Sequence, residues 1–93
     1  MFHGMKPSLS YQIAIGASST AATNPITAGI KRVRLLATVA CSVDISHNAT
    51  ASLTTSMALA ANWPEYFACS GNGNEKVAVI GTTGTLTVTE MTL

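Results

Sequence analysis

Three side chains that could together form a nucleophilic triad lie close together near the middle of the sequence: Ser42, Asp44 and His47. A serine hydrolase needs its serine on a sharp turn lined by glycine, with a histidine to accept the proton and a carboxylate to orient the histidine. No glycine flanks Ser42, and the strand-like pattern around it would point Ser42 and Asp44 to the same outer face. We therefore interpret all three as solvent-facing strand and turn residues, and we predict that the protein is not an enzyme.

Metal and cofactor sites are not indicated either. His3 and His47 could bind a metal, but neither has a Cys, His or Asp partner at a ligand spacing. Gly71 and Gly73 are not followed by the Gly-Lys-Ser/Thr of a phosphate-binding loop, so we interpret them as turn residues. The sequence predicts no metal and no cofactor.

Two cysteines, Cys41 and Cys69, both fall on the inward phase of strand-like patterns. They could form a disulfide across the core, or remain two buried thiols that pack as small apolar side chains. Met1 to Pro7 is not followed by an apolar run with a cleavage site, so no signal peptide is indicated, and a cytoplasmic origin favours thiols. No apolar stretch approaches the roughly 20 residues that a helical membrane span needs, so no membrane contact is expected.

Three of the five cationic side chains lie together at Lys31, Arg32 and Arg34, and the two arginines share one face of a strand. A nucleic-acid-binding protein is typically strongly basic, with aromatic residues among its cations. This chain has a net charge of +1 and no such aromatic residues. We therefore expect no nucleic-acid partner and predict that Arg32 and Arg34 contact an acidic protein neighbour.

Charged residues make up only 10% of the 93 residues, where an ordinary soluble domain has about 25%. Hydrophobic residues make up an ordinary 47%, and the difference is filled by Ala, Thr, Ser and Asn, so the chain should fold. A single domain of this size buries only roughly 60% of its unfolded surface, which leaves it marginally stable. A surface this poor in charge predicts coverage by copies of the same chain or by a larger partner.

The elements that must position these residues are organised around the stretch from Lys31 to Ser46. Apolar residues occupy every odd position of this stretch from Val33 to Ile45, and most even positions are polar. This period of two predicts a strand with one apolar and one polar face. Because strands are usually five or six residues long, we expect this one to be bent near Ala40 to Ser42 and to serve two sheets.

Shorter segments with turn signals between them surround this strand. The pattern predicts strands over 8–15 (Leu9, Tyr11, Ile13 and Ile15 inward), 51–55, 65–69, 76–80 and 85–91, a long loop over 16–29, a helical turn over 56–61 and a hairpin connection over 81–84. Six to eight short strands without a convincing helix predict an all-β protein, a small antiparallel β-sandwich that is jelly-roll-like, with a small barrel as the alternative. We expect an N-terminal arm over 1–7 and a single β-sandwich domain over 8–93.

A family resemblance is carried by four runs: LAANWPEYF from Leu59, KVAVI from Lys76, GTLTVTEM from Gly84 and ATVACSV from Ala37. Together they resemble small virion structural proteins of tailed bacteriophages, in which a proline stands at the position of Ala60. The resemblance implies a virion component of the β-sandwich type, without fixing its position in the particle.

The resemblance, the low charge and the lean core together suggest a capsid decoration or cement protein, which would bind the assembled phage head in many copies. Its partners would be the major capsid protein or other virion proteins, and we expect a homo-oligomer, with a trimer as the first hypothesis. The alternatives are a tail, neck or head-fibre component, or a carbohydrate-binding module that uses Trp63, Tyr66 and Phe67.

Interface residues are expected mainly in the segments without a period. Phe2 and Met5 are large apolar residues in the arm, and Ile26 is the large aliphatic residue of the 16–29 loop. Residues of this kind in such segments usually find a partner. Trp63, beside Pro64, could either fill the core or anchor an interface.

Overall fold

The computed structural model describes residues 6–92, which form two four-stranded antiparallel sheets packed face to face. The strands are β1 (Lys6–Ile15), β2 (Thr20–Ala21), β3 (Arg32–Ala37), β4 (Cys41–Ser46), β5 (Met57–Leu59), β6 (Glu65–Ala68), β7 (Lys76–Gly81) and β8 (Gly84–Thr92). No helix occurs over 6–92, and hence none that could span a membrane. The predicted all-β sandwich is confirmed.

The strand order shows how the chain is wound. The first sheet has the order β1-β8-β3-β6 and the second has the order β2-β7-β4-β5. The first four strands therefore pair with the last four in reverse, β1 with β8, β2 with β7, β3 with β6 and β4 with β5. A long antiparallel ribbon rolled up in this way is a jelly roll, as the sequence predicted.

The stretch from Lys31 to Ser46 is divided between the two sheets. β3 lies in the first sheet and β4 in the second, and Thr38 to Ala40 form the corner between them. Val33, Leu35 and Ala37 are buried on one face of β3, as their period of two predicts. The expected bend between two sheets is confirmed, and it begins two residues earlier than predicted.

The core fills the space between the sheets and is aliphatic. Its buried members are Ile13, Ile15, Ala22, Ile26, Ile30, Val33, Leu35, Ala37, Cys41, Val43, Leu59, Val77, Val79, Leu86 and Val88. Tyr11 and Phe67 pack against this cluster while partly exposed. Leu9, which was expected to point inward with Tyr11, is instead 51% exposed because it lies at a shift in register between Pro7 and Ser10.

The predicted hairpin over 81–84 is wrong. This connection joins β7 of the second sheet to β8 of the first, so the strands that it links are not paired with each other. The glycines are needed because the turn packs tightly on the Thr38–Ala40 corner: a Cβ on Gly84 would lie 2.7 Å from Val39 Cγ2. Turn residues in the sequence mark such a connection, but they do not reveal which sheet the next strand joins.

Three other local predictions are also corrected. The expected helical turn over 56–61 contains β5, because its residues extend to pair with β4. The expected strand over 51–55 is a turn, held by the Ser52 and Ser56 hydrogen bonds, and it leaves Leu53 65% exposed. The 16–29 loop contains the short strand β2, which pairs with β7.

The boundary of the expected N-terminal arm also changes. Lys6 and Pro7 are the first residues of β1 and pair with Thr92 and Met91 of β8. The sheet therefore begins two residues earlier than the expected boundary between arm and domain. Phe2 and Met5, proposed as interface residues, lie outside the described residues.

Candidate interaction surface

No hydrogen bond over 6–92 joins Ser42, Asp44 and His47 to one another. Ser42 was expected to face solvent but is buried, because β4 is a central strand and Ser42 is flanked by Ile80 on β7 and Ala58 on β5. Asp44 Oδ2 accepts hydrogen bonds from Ser46 Oγ at 2.9 Å and from the Thr50 N–H at 3.1 Å. Asp44 thus stabilises the turn that follows β4.

The cysteine question is resolved in favour of thiols. Cys41 and Cys69 are both free, and the Cys69 thiol donates a hydrogen bond to the Ile30 carbonyl at 3.2 Å. Burial raises the pKa of the Cys41 thiol. Burial, together with the nearby negative charges of Glu75 and Glu90, also raises the pKa of the Cys69 thiol. Both side chains are therefore protonated and weakly reactive at neutral pH. Over 6–92, no group of three metal-ligating side chains comes together.

The outer face of the first sheet carries the two arginines. Register places Ser10, Thr89, Arg34 and Tyr66 side by side across all four strands, and neighbours opposite each other share a face. The hydroxyls of Ser10 and Thr89 are 3.1 Å apart and hydrogen-bonded. We call this outer surface the arginine face.

Two further rows extend the arginine face on either side. One consists of Pro7, Met91, Arg32 and Ala68 in register, and the other of Gln12, Thr87 and Leu36. These three rows hold two cations and no acidic residue, so the face is mostly uncharged and locally positive. Arg32 and Tyr66 have interaction partners within the chain, whereas Arg34 has no ion-pair or hydrogen-bond partner over 6–92.

Trp63 lies just beyond the end of β3. The Asn62 N–H donates a hydrogen bond to the Ala37 carbonyl at 2.7 Å, and Asn62 adopts a left-handed backbone with φ 58°. This turn leaves Trp63 64% exposed at the start of β6. Of the two expectations for Trp63, filling the core is therefore excluded, and an interface role stays a prediction. Tyr66 is exposed as well.

Ile26 was expected at an interface and is instead part of the protein's own core, with 2% of its surface exposed. The loop that carries it is fixed by two hydrogen bonds: Ile26 N–H to the Glu75 carbonyl at 2.7 Å, and Thr27 N–H to Glu90 Oε2 at 3.0 Å. The aliphatic side chain of Ile26 fills the end of the sandwich. Ile26 is therefore not an exposed interface residue.

Glu90 is a structural residue that the sequence analysis did not single out. It is 1% exposed and faces the interior, where it accepts the hydrogen bond from Thr27. The sequence does indicate that Glu90 points inward, because Glu90 continues the same alternation as the inward residues Leu86 and Val88. A carboxylate at an inward position indicates a buried hydrogen-bonding role.

A cleft of about 520 Å³ lies along β1 and was not predicted. Leu9, Tyr11 and Gln12 line one side, and the segment 22–27 lines the other. The Tyr11 hydroxyl is buried and has no hydrogen-bond partner in the described part of the chain. Burial, reinforced by Glu90 and Cys69, raises the pKa of Tyr11 to about 12, so this hydroxyl is a donor at neutral pH.

Comparison with protein families, curated proteins and solved structures found no match to this chain. The function must therefore be inferred from the molecule's own surfaces. Two of them stand out, namely the arginine face with the neighbouring Trp63, and the cleft beside β1.

Proposed function

We propose that this protein is a capsid decoration or cement protein, a component of a phage virion that binds the outside of the assembled head in many copies. Its principal partner would be the major capsid protein. The observation that carries the proposal is the arginine face, a four-stranded sheet surface with two cations, no acidic residue and no layer of this chain covering it over 6–92. Such a surface fits an acidic neighbour.

The energetics of this face suit a lattice. An exposed ion pair contributes only about 0.2–1 kcal/mol, so an ion pair made by Arg34 would bind one copy only weakly. A homo-oligomer that presents several copies of the face strengthens this binding, because each further contact is made at a high effective concentration. A trimer on a threefold position of the head is the arrangement that we propose.

The fold and the sequence resemblance both support a virion component. Jelly rolls of eight strands are common in viral capsid domains, and they also occur in lectin domains and cupins. Because one fold serves several functions, the fold by itself does not distinguish between them. The resemblance of the Leu59–Phe67 run and its companions to phage virion proteins favours the first of these uses.

Electron microscopy of particles that carry or lack the gene tests the proposal. We expect additional density, repeated over the outside of the head, in the particles that carry it. Density confined to the tail would overturn the decoration role. It would support a tail, neck or head-fibre component, and the copy number on a stained gel then distinguishes hundreds of decorating copies from a dozen or fewer.

A variant at Arg34 tests whether the arginine face makes the contact. We expect Arg34→Glu to reduce the amount of protein that sediments with purified heads at least tenfold, because it places a negative charge against the acidic neighbour. Lys76→Glu is the matched control, since it makes the same change of charge on β7, in the other sheet. Equal loss of binding for both variants would show only a dependence on net charge and would contradict the proposed contact.

The carbohydrate-binding alternative has one specific observation in its favour, which is the exposure of Trp63 and Tyr66. Exposed aromatic rings are typical of sugar-binding surfaces. A glycan array probed with the purified protein would support this alternative if binding to a defined glycan is lost in Trp63→Ala. Absence of binding to every glycan on the array would leave Trp63 as a protein-contact residue in our proposal.

A further inference from the structure

The cleft beside β1 lies along an open edge of the first sheet. β1 is the outermost strand of that sheet, so one side of its backbone is not paired with any strand of the described chain. Tyr11 packs against the core, whereas Gln12 belongs to the outer face, yet both line the cleft. The cleft therefore runs along the strand edge, where unpaired N–H and C=O groups are available.

The chemistry of the cleft fits an extended, uncharged polypeptide segment. Its lining includes no Asp, Glu, Lys or Arg. Leu9 offers an apolar contact, being 51% exposed. A peptide laid against a strand edge pairs its own backbone N–H and C=O groups with those of the edge. A small polar metabolite would leave the strand edge unpaired.

We propose that the cleft binds residues 1–5 of a neighbouring copy of this chain. This segment, MFHGM, has no Asp, Glu, Lys or Arg and carries two large apolar side chains, Phe2 and Met5. It thus matches the uncharged lining of the cleft and the exposed side chain of Leu9. The inference rests on the homo-oligomer of the proposed function and names the contact that would hold that oligomer together.

The position of the segment favours a neighbour over the same molecule. β1 begins at Lys6 and passes Leu9 before it reaches Tyr11, at about 3.3 Å per residue. Tyr11 is therefore roughly 16 Å from Lys6, and a five-residue segment spans at most about 17 Å. To reach Tyr11 of its own molecule, the segment would have to reverse direction at once and run back fully extended. The segment of a second copy can approach from solvent. When each copy binds the segment of the next copy, the contacts form a closed ring such as a trimer.

Photo-cross-linking tests this contact directly. The chain with Phe2→p-benzoylphenylalanine is prepared in unlabelled and in ¹⁵N-labelled form, the two forms are mixed and irradiated, and the cross-linked peptides are identified by mass spectrometry. We expect residue 2 to join peptides that contain residues 9–12 or 22–27, as pairs with one labelled and one unlabelled partner. Cross-links confined to one isotope, or directed to other parts of the chain, would overturn the inference.

Two leucine variants provide a matched comparison. We expect Leu9→Asp to lower the oligomer fraction, measured by light scattering, at least tenfold at a fixed protein concentration. Leu53→Asp should leave that fraction unchanged, because Leu53 is also exposed, at 65%, but lies on the turn before β5 in the other sheet. Circular dichroism is used to check that both variants keep the fold. Equal effects of the two substitutions would count against the cleft.

The inference and the proposed function fail in different experiments. A chain that is monomeric at all concentrations but still decorates heads overturns the inference alone. An oligomer that cross-links as expected but gives no density on any head keeps the inference and overturns the decoration role.

Discussion

Thr38 and Thr85 exchange two hydrogen bonds across the corner at which the chain passes between the sheets. The Thr38 N–H donates to the Thr85 carbonyl at 3.0 Å, and Thr38 Oγ1 accepts the Thr85 N–H at 2.9 Å. The corner after β3 is thereby fixed to the beginning of β8, which is the neighbour of β3 in the first sheet. Gly84 lies directly beside this contact.

Gly84→Ala should destabilise the domain. The added Cβ would lie 2.7 Å from Val39 Cγ2 and 2.8 Å from Thr38 Oγ1, so the corner would have to move. Overpacking of this kind costs about 1–3 kcal/mol of unfolding free energy, which urea denaturation measures. Gly16→Ala is the control, because nothing lies within 4 Å of its Cβ, and it should change stability by less than about 1 kcal/mol. Similar losses for both variants would contradict the tight corner.

Glu90→Leu should also destabilise the domain, although it replaces a buried polar side chain with an apolar one. Glu90 is 1% exposed, and its loss would leave the Thr27 N–H without its acceptor. A hydrogen bond of this kind contributes about 0.5–1.5 kcal/mol to stability, and we expect a loss in that range. Glu65→Leu makes the same change at an exposed position and should alter stability by less than about 0.5 kcal/mol. An unchanged urea midpoint for Glu90→Leu would show that Glu90 does not fix the loop.

Trp63 gives a direct optical test of the aromatic surface. It is the single tryptophan of the chain and is 64% exposed. The native protein should therefore emit at a wavelength close to that of the urea-unfolded chain, and acrylamide should quench it efficiently. Trp63→Phe should change the free energy of unfolding by less than about 0.5 kcal/mol, as expected for a surface residue. Native emission shifted strongly to the blue would mean that the indole is covered.

The strands could be predicted from the sequence because their signal is local. The alternation from Val33 to Ile45 specifies both β3 and β4, and the position of Arg32 and Arg34 on one face follows from the same period. The pairing of the strands is a different matter. Gly81 and Gly84 mark a turn in any topology, and only the pairing of β8 with β1 and β3 shows that the chain returns to the first sheet.

The contact surfaces were only partly predictable for the same reason. Ile26 lies in a segment without a period. Its burial depends on two residues that are remote in sequence, Glu75 and Glu90, which hold the loop by hydrogen bonds. The cleft forms where β1 faces the segment 22–27, and no local sequence pattern predicts the distance between them. Exposure of Trp63 depends on the left-handed turn at Asn62, which the sequence does not specify.

Tyr11 should make stability depend on pH in the alkaline range. Burial, aided by the charges of Glu90 and Cys69, raises its pKa from 10.0 to about 12 in the folded protein. The folded state thus holds the phenolic proton more tightly than the unfolded chain does. The resulting stabilisation is fully present below about pH 10 and is lost as the pH rises through about 12. We expect urea denaturation across this range to show a steeper loss of stability for the parent chain than for Tyr11→Phe. Since both chains keep Cys41, Cys69 and the lysines, the difference between them isolates the phenol, and parallel pH profiles would contradict the buried environment of Tyr11.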